Sequence, residues 1–380
     1  MFASSYLQVA EHLVEQYNLQ MPLYLFLKNY FRQNKKFGSR DRKYITELVF
    51  GFYRIPSFNR LKKQDQILYG SFLSGRLPQL FFEKTFPEGA PYYHQTLQEK
   101  INYLKQQYQV DFDLSATLTE GVSITDYIHY LFQEKSVFLR IRRNKEGILS
   151  ILKKQGISFQ QPTIDCIAIQ DKIDLETALP QKEDYVIQDL STQQVARFLH
   201  PQSHETWWDC CAASGGKSLL LLDKNHDLRL FASDIRSSIL ENYRQRLRTY
   251  HYDLGKRVFL HDASQPLVTK DFKEVDHIIC DVPCSGSGTW AQAPEQGYFF
   301  TEEKLHEFHK LQCKIVKQVW HYLKSGGNLI YITCSIWKME NDDVIQTLLQ
   351  NGQAKLIQSE VINTSAFGGD IIFVTVVEKI

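Results

Sequence analysis

Two cysteines, Cys284 and Cys334, each stand before a serine at the end of a predicted strand. A single cysteine at a strand end is most often an inert core residue. These two strands should be neighbours in a doubly wound sheet, so both thiols should emerge at the same edge of one crevice. Two thiols placed in this way predict a nucleophile and a partner that handles its proton. A zinc site is the metal alternative, but no Cys-x-x-Cys pair exists among Cys210, Cys211, Cys280, Cys284 and Cys334.

A turn of small residues follows the predicted strand that ends at Asp209. Its two glycines, Gly215 and Gly216, allow the backbone to approach a ligand closely and to direct N–H groups at it. A phosphate-binding loop would need glycine where Cys211 stands, and the Gly-x-Gly-x-x-Gly fingerprint of dinucleotide-binding proteins is absent. The turn therefore suits a ligand that carries a carboxylate and an adenosine, without a polyphosphate.

Four predicted strands end on an acidic residue, namely Asp209, Asp234, Asp262 and Asp281. Each of them alone is best explained as the cap of the next helix. Because ligands of open α/β sheets lie outside the carboxyl ends of the strands, four carboxylates there predict one shared ligand crevice. Asp234 ends the second strand, where an acidic residue can accept hydrogen bonds from ribose hydroxyls.

The elements that must position these residues alternate between strand and helix from about Asp184 to the end of the chain. Such alternation predicts a doubly wound, mostly parallel sheet. Helices are predicted over 237–250 and 302–323. The predicted strands are 206–209, 230–234, 257–262, 276–281, 327–333 and 371–377.

The chain before residue 130 has the pattern of a helical bundle. Its clearest helix is Ser39–Arg54, where Ser39 can cap the first turn. The apolar stripe of this helix, at helical spacing, consists of Tyr44, Ile45, Leu48, Val49 and Phe52.

The pattern changes around Val137, where a small α/β segment is predicted. Residues 138–142 alternate like a strand, 145–155 indicate a short helix, and 163–170 again indicate extended chain. We therefore predict three domains, which are 1–130, 131–183 and 184–380.

The composition is that of an ordinary globular protein, with 380 residues, 43% of them hydrophobic and 23% charged. No apolar run approaches the ~18 residues that span a bilayer. The first twenty residues carry Glu11 and Glu15 in place of a signal sequence. Seven cysteines without framework spacing indicate a reducing compartment. We therefore expect a cytoplasmic protein without a membrane partner.

The charge is unevenly distributed along the chain. Residues 1–160 carry 22 basic against 14 acidic residues, and residues 161–380 carry 22 against 29. A basic part joined to an acidic part predicts an anion-binding module, and plain solvated charge is the rival explanation, because a split of this size is modest. The cationic run available for phosphate contacts is Arg140, Arg142, Arg143 and Lys145.

Several of these segments together resemble the motifs of the Sun/Fmu-type RNA (cytosine-5) methyltransferases, which use S-adenosylmethionine. The matching positions are 188–193, 209–217, 281–289, Pro294, Glu295, Gln312, 331–335, Glu340 and Asn341. The resemblance covers about 184–380. It departs from the family pattern at Ser214, where proline is usual, and at Gln292, where arginine is frequent. Residues 40–54 are similar to the NusB-like RNA-binding domain that precedes the catalytic domain in ribosomal-RNA members.

The resemblance implies that Cys334 is the nucleophile and that Cys284 helps to release the product. A thiolate that adds to carbon 6 of cytosine makes carbon 5 able to accept a methyl group, and a base must then remove the carbon-5 proton. Asp281 would hydrogen-bond the cytosine and also face the cofactor. The implied cofactor-binding residues are Cys211, Ala212, Ala213, Ser214, Gly215, Gly216, Lys217, Asp234, Asp262 and Asp281.

The implied fold is α/β: a Rossmann-like class I S-adenosylmethionine-dependent methyltransferase domain, preceded by an all-α NusB-like domain and a small α/β segment. Ribosomal RNA is the preferred substrate because of the NusB-like resemblance, and tRNA is the runner-up. We expect a monomer without a metal ion.

Two readings from other classes compete with this one. A non-catalytic RNA-binding or ribosome-assembly protein would keep the fold without the activity, but it would need neither Cys284 nor Cys334. A nicotinamide-dependent dehydrogenase is disfavoured by the missing glycine fingerprint.

Overall fold

The computed structural model describes residues 3–57, 61–112, 114, 116–171, 173–268, 271–350 and 352–380. The chain forms two compact units with separate hydrophobic cores. The helical unit comprises Met1–Ala116, Ser123–Gln133 and Thr289–Thr301, and the sheet unit comprises Thr117–Val122, Glu134–Gly288 and Glu302–Ile380. The division into three domains stays a prediction. Within the described ranges, no helix combines the length and the apolar character needed to cross a membrane.

The secondary structure consists of α-helices and β-strands joined by turns and short 3-10 helices. The α-helices are α1 (Ala3–Gln16), α2 (Leu23–Gln33), α3 (Ser39–Arg54), α4 (Lys63–Ser74), α5 (Gln79–Thr85), α6 (Leu97–Tyr108), α7 (Ile124–Phe132), α8 (Lys145–Lys154), α9 (Leu175–Ala178), α10 (Leu190–Gln194), α11 (Gly216–Lys224), α12 (Ser237–Thr249), α13 (Pro294–Tyr298), α14 (Glu302–Trp320) and α15 (Asp342–Leu349). The strands are β1 (Val137–Ile141), β2 (Phe159–Thr163), β3 (Cys166–Ile169), β4 (Tyr185–Ile187), β5 (Thr206–Asp209), β6 (Arg229–Asp234), β7 (Val258–Leu260), β8 (Val275–Asp281), β9 (Leu323–Thr333), β10 (Ala354–Asn363) and β11 (Ile371–Lys379).

The helical unit is built from amphipathic helices whose apolar faces meet in one core. The stripe predicted on α3 contributes to this core, with Ile45, Leu48, Val49 and Phe52 buried. Helices α3 and α4 approach each other at two glycines. A Cβ atom on Gly70 would lie 1.9 Å from the carbonyl oxygen of Gly51, so only glycine permits this distance.

The start of α3 shows that the predicted capping role of Ser39 is wrong. The N-cap residue is Gly38, and its N–H donates to Asp41 Oδ2 at 2.9 Å. Ser39 is already part of the helix, so its side chain does not cap it. The carboxylate of Asp41, the third helical residue, instead accepts the hydrogen bond from the N-cap residue. Its negative charge also suits the positive end of the helix dipole.

The segment Thr289–Thr301 joins the helical unit from a distant part of the sequence. The ring of Tyr298 packs against Phe52 and Tyr53, with centroids 5.1 and 5.3 Å apart. Glu295 Oε1 accepts a hydrogen bond from the Leu23 N–H at 3.2 Å. The core of the helical unit therefore includes residues that the chain reaches only after most of the sheet unit.

A small antiparallel sheet with the order β2-β3-β1-β4 opens the sheet unit. The predicted strand near 138–142 and helix near 145–155 correspond to β1 and α8. The extended segment predicted over 163–170 is confirmed in part, because β3 occupies 166–169, whereas residue 163 is the last of β2 and a turn joins the two strands. Strand β2 contains Gln160, Gln161 and Pro162, so it lacks the apolar alternation that reveals a strand.

The large sheet has seven strands in the order β10-β11-β9-β8-β5-β6-β7. The five strands from β9 to β7 run parallel, and β11 and β10 are antiparallel additions at one edge. Trp207 and Trp208 point to opposite faces of β5 and lie in two different apolar clusters, because successive side chains of a strand alternate. Helices α11 and α12 cover one face, and α14 and α15 cover the other. This architecture confirms the predicted fold class.

Candidate active site

The two thiols of the predicted nucleophile pair lie beside each other. Strands β8 and β9 are parallel neighbours, and Cys284 and Cys334 follow their carboxyl ends with sulfur atoms 3.2 Å apart. The pKa of the Cys284 thiol is raised, first by its hydrogen bond to the Cys334 sulfur and then by burial. The charges of Cys334 and Glu340 raise it further. The raised pKa favours the protonated form of Cys284, and the two sulfurs share one hydrogen bond. The expectation that both thiols emerge at one edge of the sheet is confirmed.

A lysine and an aspartate supply fixed charges near the thiols. Lys217, in the first turn of α11, forms an ion pair with Asp281 at an N–O distance of 2.6 Å. Burial acts to lower the pKa of Lys217, but the charge and hydrogen bond of Asp281 and the charge of Cys334 outweigh it and raise this pKa. Lys217 therefore stays an ammonium. The family resemblance implied that Lys217 binds the cofactor, and the ion pair of Lys217 with Asp281 was not predicted.

The turn between β5 and α11 has the backbone geometry that its small residues predict. Ala213 and Gly215 adopt positive φ angles of 45° and 83°. A Cβ atom on Gly215 would lie 2.8 Å from the ring of Tyr243, so this position requires glycine for both conformation and space. The turn is therefore compact and leaves little freedom to its backbone.

Long polar side chains hold the same turn from outside. Gln188 Nε2 donates to the carbonyl of Gly216 at 3.1 Å, and Gln188 Oε1 in turn accepts from Arg140 Nε at 2.9 Å. Arg246 donates to the hydroxyl of Ser214 at 3.1 Å. Ser214 stands at the position where the motif that the sequence resembles has proline, and its bond to Arg246 links this turn to α12.

Asp209 is buried at the end of β5 with only one of its oxygens paired. Oδ2 accepts from the Ser218 hydroxyl at 2.7 Å, whereas Oδ1 has no hydrogen-bond partner among the described residues. Burial raises the pKa of Asp209 to about 7. A buried acceptor without a partner is rare in native structures, so this oxygen is available to a ligand or a water molecule.

The other acidic strand ends are engaged within the chain. Asp234 Oδ2 accepts from the Ala213 N–H at 3.0 Å, and its Oδ1 forms an ion pair with Arg236 at 3.0 Å. Burial acts to raise the pKa of Asp234, but these bonds lower it. Asp262 lies just beyond β7 and accepts from the Ser264 N–H at 2.9 Å. The roles of Asp234 and Asp262 towards a cofactor stay predictions.

Gly288 ties the loop after Cys284 to the strand end at Cys334. Its N–H donates to the carbonyl of Cys334 at 2.8 Å. A Cβ atom on Gly288 would lie 2.0 Å from the carbonyl oxygen of Ile371, at the start of β11. Glycine at this position therefore keeps the two thiol-bearing segments in direct contact.

The predicted phosphate-binding role of the cationic run, which begins at the end of β1 and continues beyond it, is wrong for Arg140 and Arg142. Arg140 and Arg142 both form ion pairs with Asp223 on α11, at 2.7 and 2.6 Å. Residues two apart in a strand share a face, and this face points towards α11 rather than to solvent. The two arginines therefore attach the small sheet to α11, and only Arg143 of the three is exposed.

Glu340 was predicted only as a motif position without a role, and it is fully buried. Its carboxylate accepts hydrogen bonds from Ser285 and Gln312. Its place in the motif after Cys334 was the available signal. The sequence does not show, however, that Glu340 is buried while its charged neighbour Lys338 is exposed.

The zinc alternative would require several ligands from the cysteines of the sheet unit. All seven cysteines are free thiols, and Cys210 and Cys280 are buried in an apolar cluster. The part of the chain that the structure describes contains no group of three or more His, Cys, Asp or Glu side chains that could hold a metal ion.

Comparison with known sequences points to methyltransferases. Residues 196–372 match the family described as 16S rRNA methyltransferase RsmB/F. The Ribosomal RNA small subunit methyltransferase B of Xanthomonas campestris pv. campestris is 30% identical over 218 residues, which cover 56% of this chain and 49% of that relative. The chain spans about half the length of the curated relatives that it matches.

Comparison with solved structures supports the same fold. The crystal structure of PH0851 has a TM-score of 0.69 at 16% identity and covers 100% of this chain and 99% of that one. The structure of NSun6 from Pyrococcus horikoshii with SFG has a TM-score of 0.56 at 14% identity and covers 73% and 97% of the two chains. At these identities the likeness concerns the fold alone.

Proposed function

Residues 196–372 belong to the RsmB/F family of 16S rRNA methyltransferases, and from this premise we propose that the chain transfers a methyl group from S-adenosylmethionine to carbon 5 of a cytosine in RNA. The observation that carries the proposal is the 3.2 Å separation of the Cys284 and Cys334 sulfurs at the carboxyl ends of adjacent strands. Ribosomal RNA is the proposed substrate, because the matched relatives are ribosomal RNA methyltransferases by name. A tRNA substrate is the alternative.

The sheet unit offers residues that fit S-adenosylmethionine. The unpaired Oδ1 of Asp209 is a buried acceptor beside the compact turn of residues 211–217. The NSun6 structure contains SFG, an analogue of this cofactor. We propose that this turn, Asp234, Asp262 and Asp281 hold the cofactor. When bound, it supplies an electrophilic methyl group on a sulfonium.

The remaining steps of the reaction are carried out by the two thiols and by the ion pair of Lys217 and Asp281. The thiolate of Cys334 forms a bond to carbon 6, and the displaced electron pair makes carbon 5 nucleophilic towards the methyl group. Loss of the carbon-5 proton then restores the double bond and releases the thiolate. Asp281, held by Lys217, hydrogen-bonds the cytosine. The base must leave the RNA stack to reach both thiol and cofactor.

Cys284 becomes a better proton acceptor once the adduct exists. Its hydrogen bond to the Cys334 sulfur is the largest cause of its raised pKa. When Cys334 is bonded to carbon 6, that sulfur can carry no negative charge, and the pKa of Cys284 should fall. Cys284 can then release its proton to water and accept the carbon-5 proton, directly or through a water molecule.

Bisulfite sequencing tests the proposed reaction. We expect total RNA from cells with the gene to contain a protected cytosine that becomes convertible when the gene is deleted. Restoring the gene should restore the protection, which controls for secondary effects of the deletion. An unchanged conversion pattern in ribosomal and transfer RNA would contradict the proposed chemistry.

The cofactor assignment predicts a measurable gain in stability. A ligand that binds only the native state raises the free energy of unfolding by about 2.7 kcal/mol at a hundredfold excess over its Kd. We therefore expect S-adenosylmethionine, and its demethylated product, to shift the thermal unfolding midpoint upwards. A shift with NADH or ATP, and none with either of these two compounds, would reject the assignment.

A dense group of exposed cations in the helical unit supports an RNA partner. Between Lys28 and Lys43, Asp41 is the only acidic residue, and its carboxylate is already bonded to Gly38 and Tyr6. None of these cations forms a salt bridge with any described residue. We name them the cationic band: Lys28, Arg32, Lys35, Lys36, Arg40, Arg42 and Lys43, all exposed.

Neutralising part of the cationic band should weaken RNA binding and flatten its salt dependence. Each phosphate contact to a single strand contributes about 0.7 to the slope of log K against log salt, so Lys28→Gln with Lys35→Gln and Lys43→Gln should lower it by about 2. The matched control replaces the exposed Lys153, Lys154 and Lys256 of the sheet unit by glutamine. Equal slopes for both triple variants, measured by fluorescence anisotropy, would show that the band is only solvated surface.

A further inference from the structure

Each of the two thiols is followed by a serine, Ser285 or Ser335, and neither serine has a role in the proposed reaction. Both serine hydroxyls donate to one carboxylate, that of Glu340. The Ser285 hydroxyl lies 2.5 Å from Glu340 Oε2, and the Ser285 N–H donates to Oε1 at 2.8 Å. The Ser335 hydroxyl also donates to Oε2. One carboxylate thus holds the residue that follows each thiol.

Further bonds fix Glu340 itself. Its side chain is fully buried, and Gln312 Nε2 on α14 donates to Oε1 at 2.9 Å. The same Gln312 nitrogen donates to the carbonyl of Pro283, the residue before Cys284, at 2.9 Å. The backbone carbonyl of Glu340 accepts from the Tyr331 hydroxyl at 2.6 Å. Residues on both sides of Cys284 are therefore tied to this carboxylate or to its partner.

These hydrogen bonds are of a strong and directional kind. Hydrogen bonds to an ionised carboxylate are shorter than neutral ones and roughly twice as strong. A buried carboxylate also needs them, because it has no water to replace a lost donor. A displacement of the loop of Cys284 or of the strand end at Cys334 would therefore break bonds to Glu340. The group keeps the two sulfurs at their distance.

The two thiols face charges of opposite sign. The negative charge of Glu340 acts on Cys284, and the ammonium of Lys217 acts on Cys334. Asp281 binds that ammonium, and Tyr331 packs among the buried groups of the same region with its pKa raised by burial. A negative neighbour disfavours a second negative charge. A thiolate on Cys284 is therefore disfavoured.

We propose that Glu340 is a positioning residue of this site: through Ser285 and Ser335 it fixes the spacing of the two thiols, and its charge keeps their shared proton on Cys284. The inference rests on the proposed function for its purpose. The thiol geometry that it concerns is a property of the free protein. It can therefore be tested without RNA and without cofactor.

Alkylation of the free protein by iodoacetamide tests the inference, with the rate at each cysteine read by mass spectrometry across pH. Only thiolates react, so Cys334 should be alkylated faster than Cys284 in the native chain. In Glu340→Gln, the ratio of the two rates near pH 8 should fall by about tenfold, the change that one pKa unit produces. The control is Asp343→Asn, which removes a carboxylate that is 41% exposed on the neighbouring helix. It should leave the ratio unchanged.

Two milder variants keep the test decisive if Glu340→Gln does not fold. Ser285→Ala and Ser335→Ala each remove one hydroxyl and keep the carboxylate. Each should lower the ratio of the two rates, and their effects should not be additive with each other, because both act through Glu340. Variants that unfold cooperatively and yet alkylate with the wild-type ratio and pH profile would overturn the inference.

The outcome separates this inference from the proposed function. A wild-type protein that methylates no cytosine, with alkylation ratios that still change in the variants, would leave Glu340 as the positioning residue of some other thiol chemistry. A wild-type protein that methylates RNA, with unchanged ratios in all three variants, would leave the methyltransferase and remove the role of Glu340.

Discussion

The Cys334→Ala protein should transfer no methyl group to RNA and form no covalent adduct, while it still binds S-adenosylmethionine. Without this sulfur, nothing adds to carbon 6, and loss of a nucleophile costs an enzyme on the order of 10⁴-fold or more in turnover. The substitution leaves the backbone bond between the Gly288 N–H and the carbonyl of residue 334 in place. The loop after Cys284 should therefore keep its position.

The measurement is the transfer of a radioactive methyl group, together with denaturing electrophoresis of the RNA. The matched control is Cys313→Ala, which removes a half-buried thiol of α14. It should cost some stability and leave turnover near that of the native protein. Full activity of both Cys334→Ala and Cys284→Ala would remove the covalent mechanism, because both thiols would then serve only as packing.

The Cys284→Ala protein should behave in the opposite way and accumulate a covalent complex with RNA. Cys334 remains able to add to carbon 6, and methyl transfer can follow. Removal of the carbon-5 proton then lacks its nearby acceptor, and loss of a general base lowers the rate by about 10²- to 10⁴-fold. The enzyme should stall with the RNA attached.

A slowly migrating band that survives denaturing electrophoresis is the expected sign of this stalled complex. It should require cofactor and should be absent from the Cys284→Ala, Cys334→Ala double variant, which has no thiol left to attach. Trapping by Cys334→Ala, with none by Cys284→Ala, would reverse the two roles.

The sequence predicted well those elements whose residues alternate between solvent and core. Strand β5 and helix α3 have the predicted bounds, because Trp207 and Trp208 or the apolar stripe of the helix mark their buried faces. Strand β10 was not predicted. It lies at the edge of the sheet with most of its side chains exposed, so the burial that produces a pattern is missing.

The site was predictable where single residues carry the chemistry and unpredictable where it depends on pairing. The sequence alone brought Cys284 and Cys334 to one edge of the sheet. It could not show that Arg142 forms an ion pair with Asp223, because the sequence does not distinguish an exposed arginine from a buried one whose partner is distant in the chain. Asp209 likewise differs from the also buried strand end Asp234 only through its oxygen that has no hydrogen-bond partner among the described residues.

The contribution of Thr289–Thr301 to the helical unit has a consequence for synthesis of the chain. Domains generally fold as they leave the ribosome, the N-terminal one first. Here the first 133 residues lack Tyr298 and the carboxylate of Glu295, which binds the start of α2. The helical unit can complete its core only after residue 301 has emerged, when most of the sheet unit is already outside the tunnel. The two units therefore mature together during translation, and a stop of the ribosome before residue 289 leaves the helical unit unfinished.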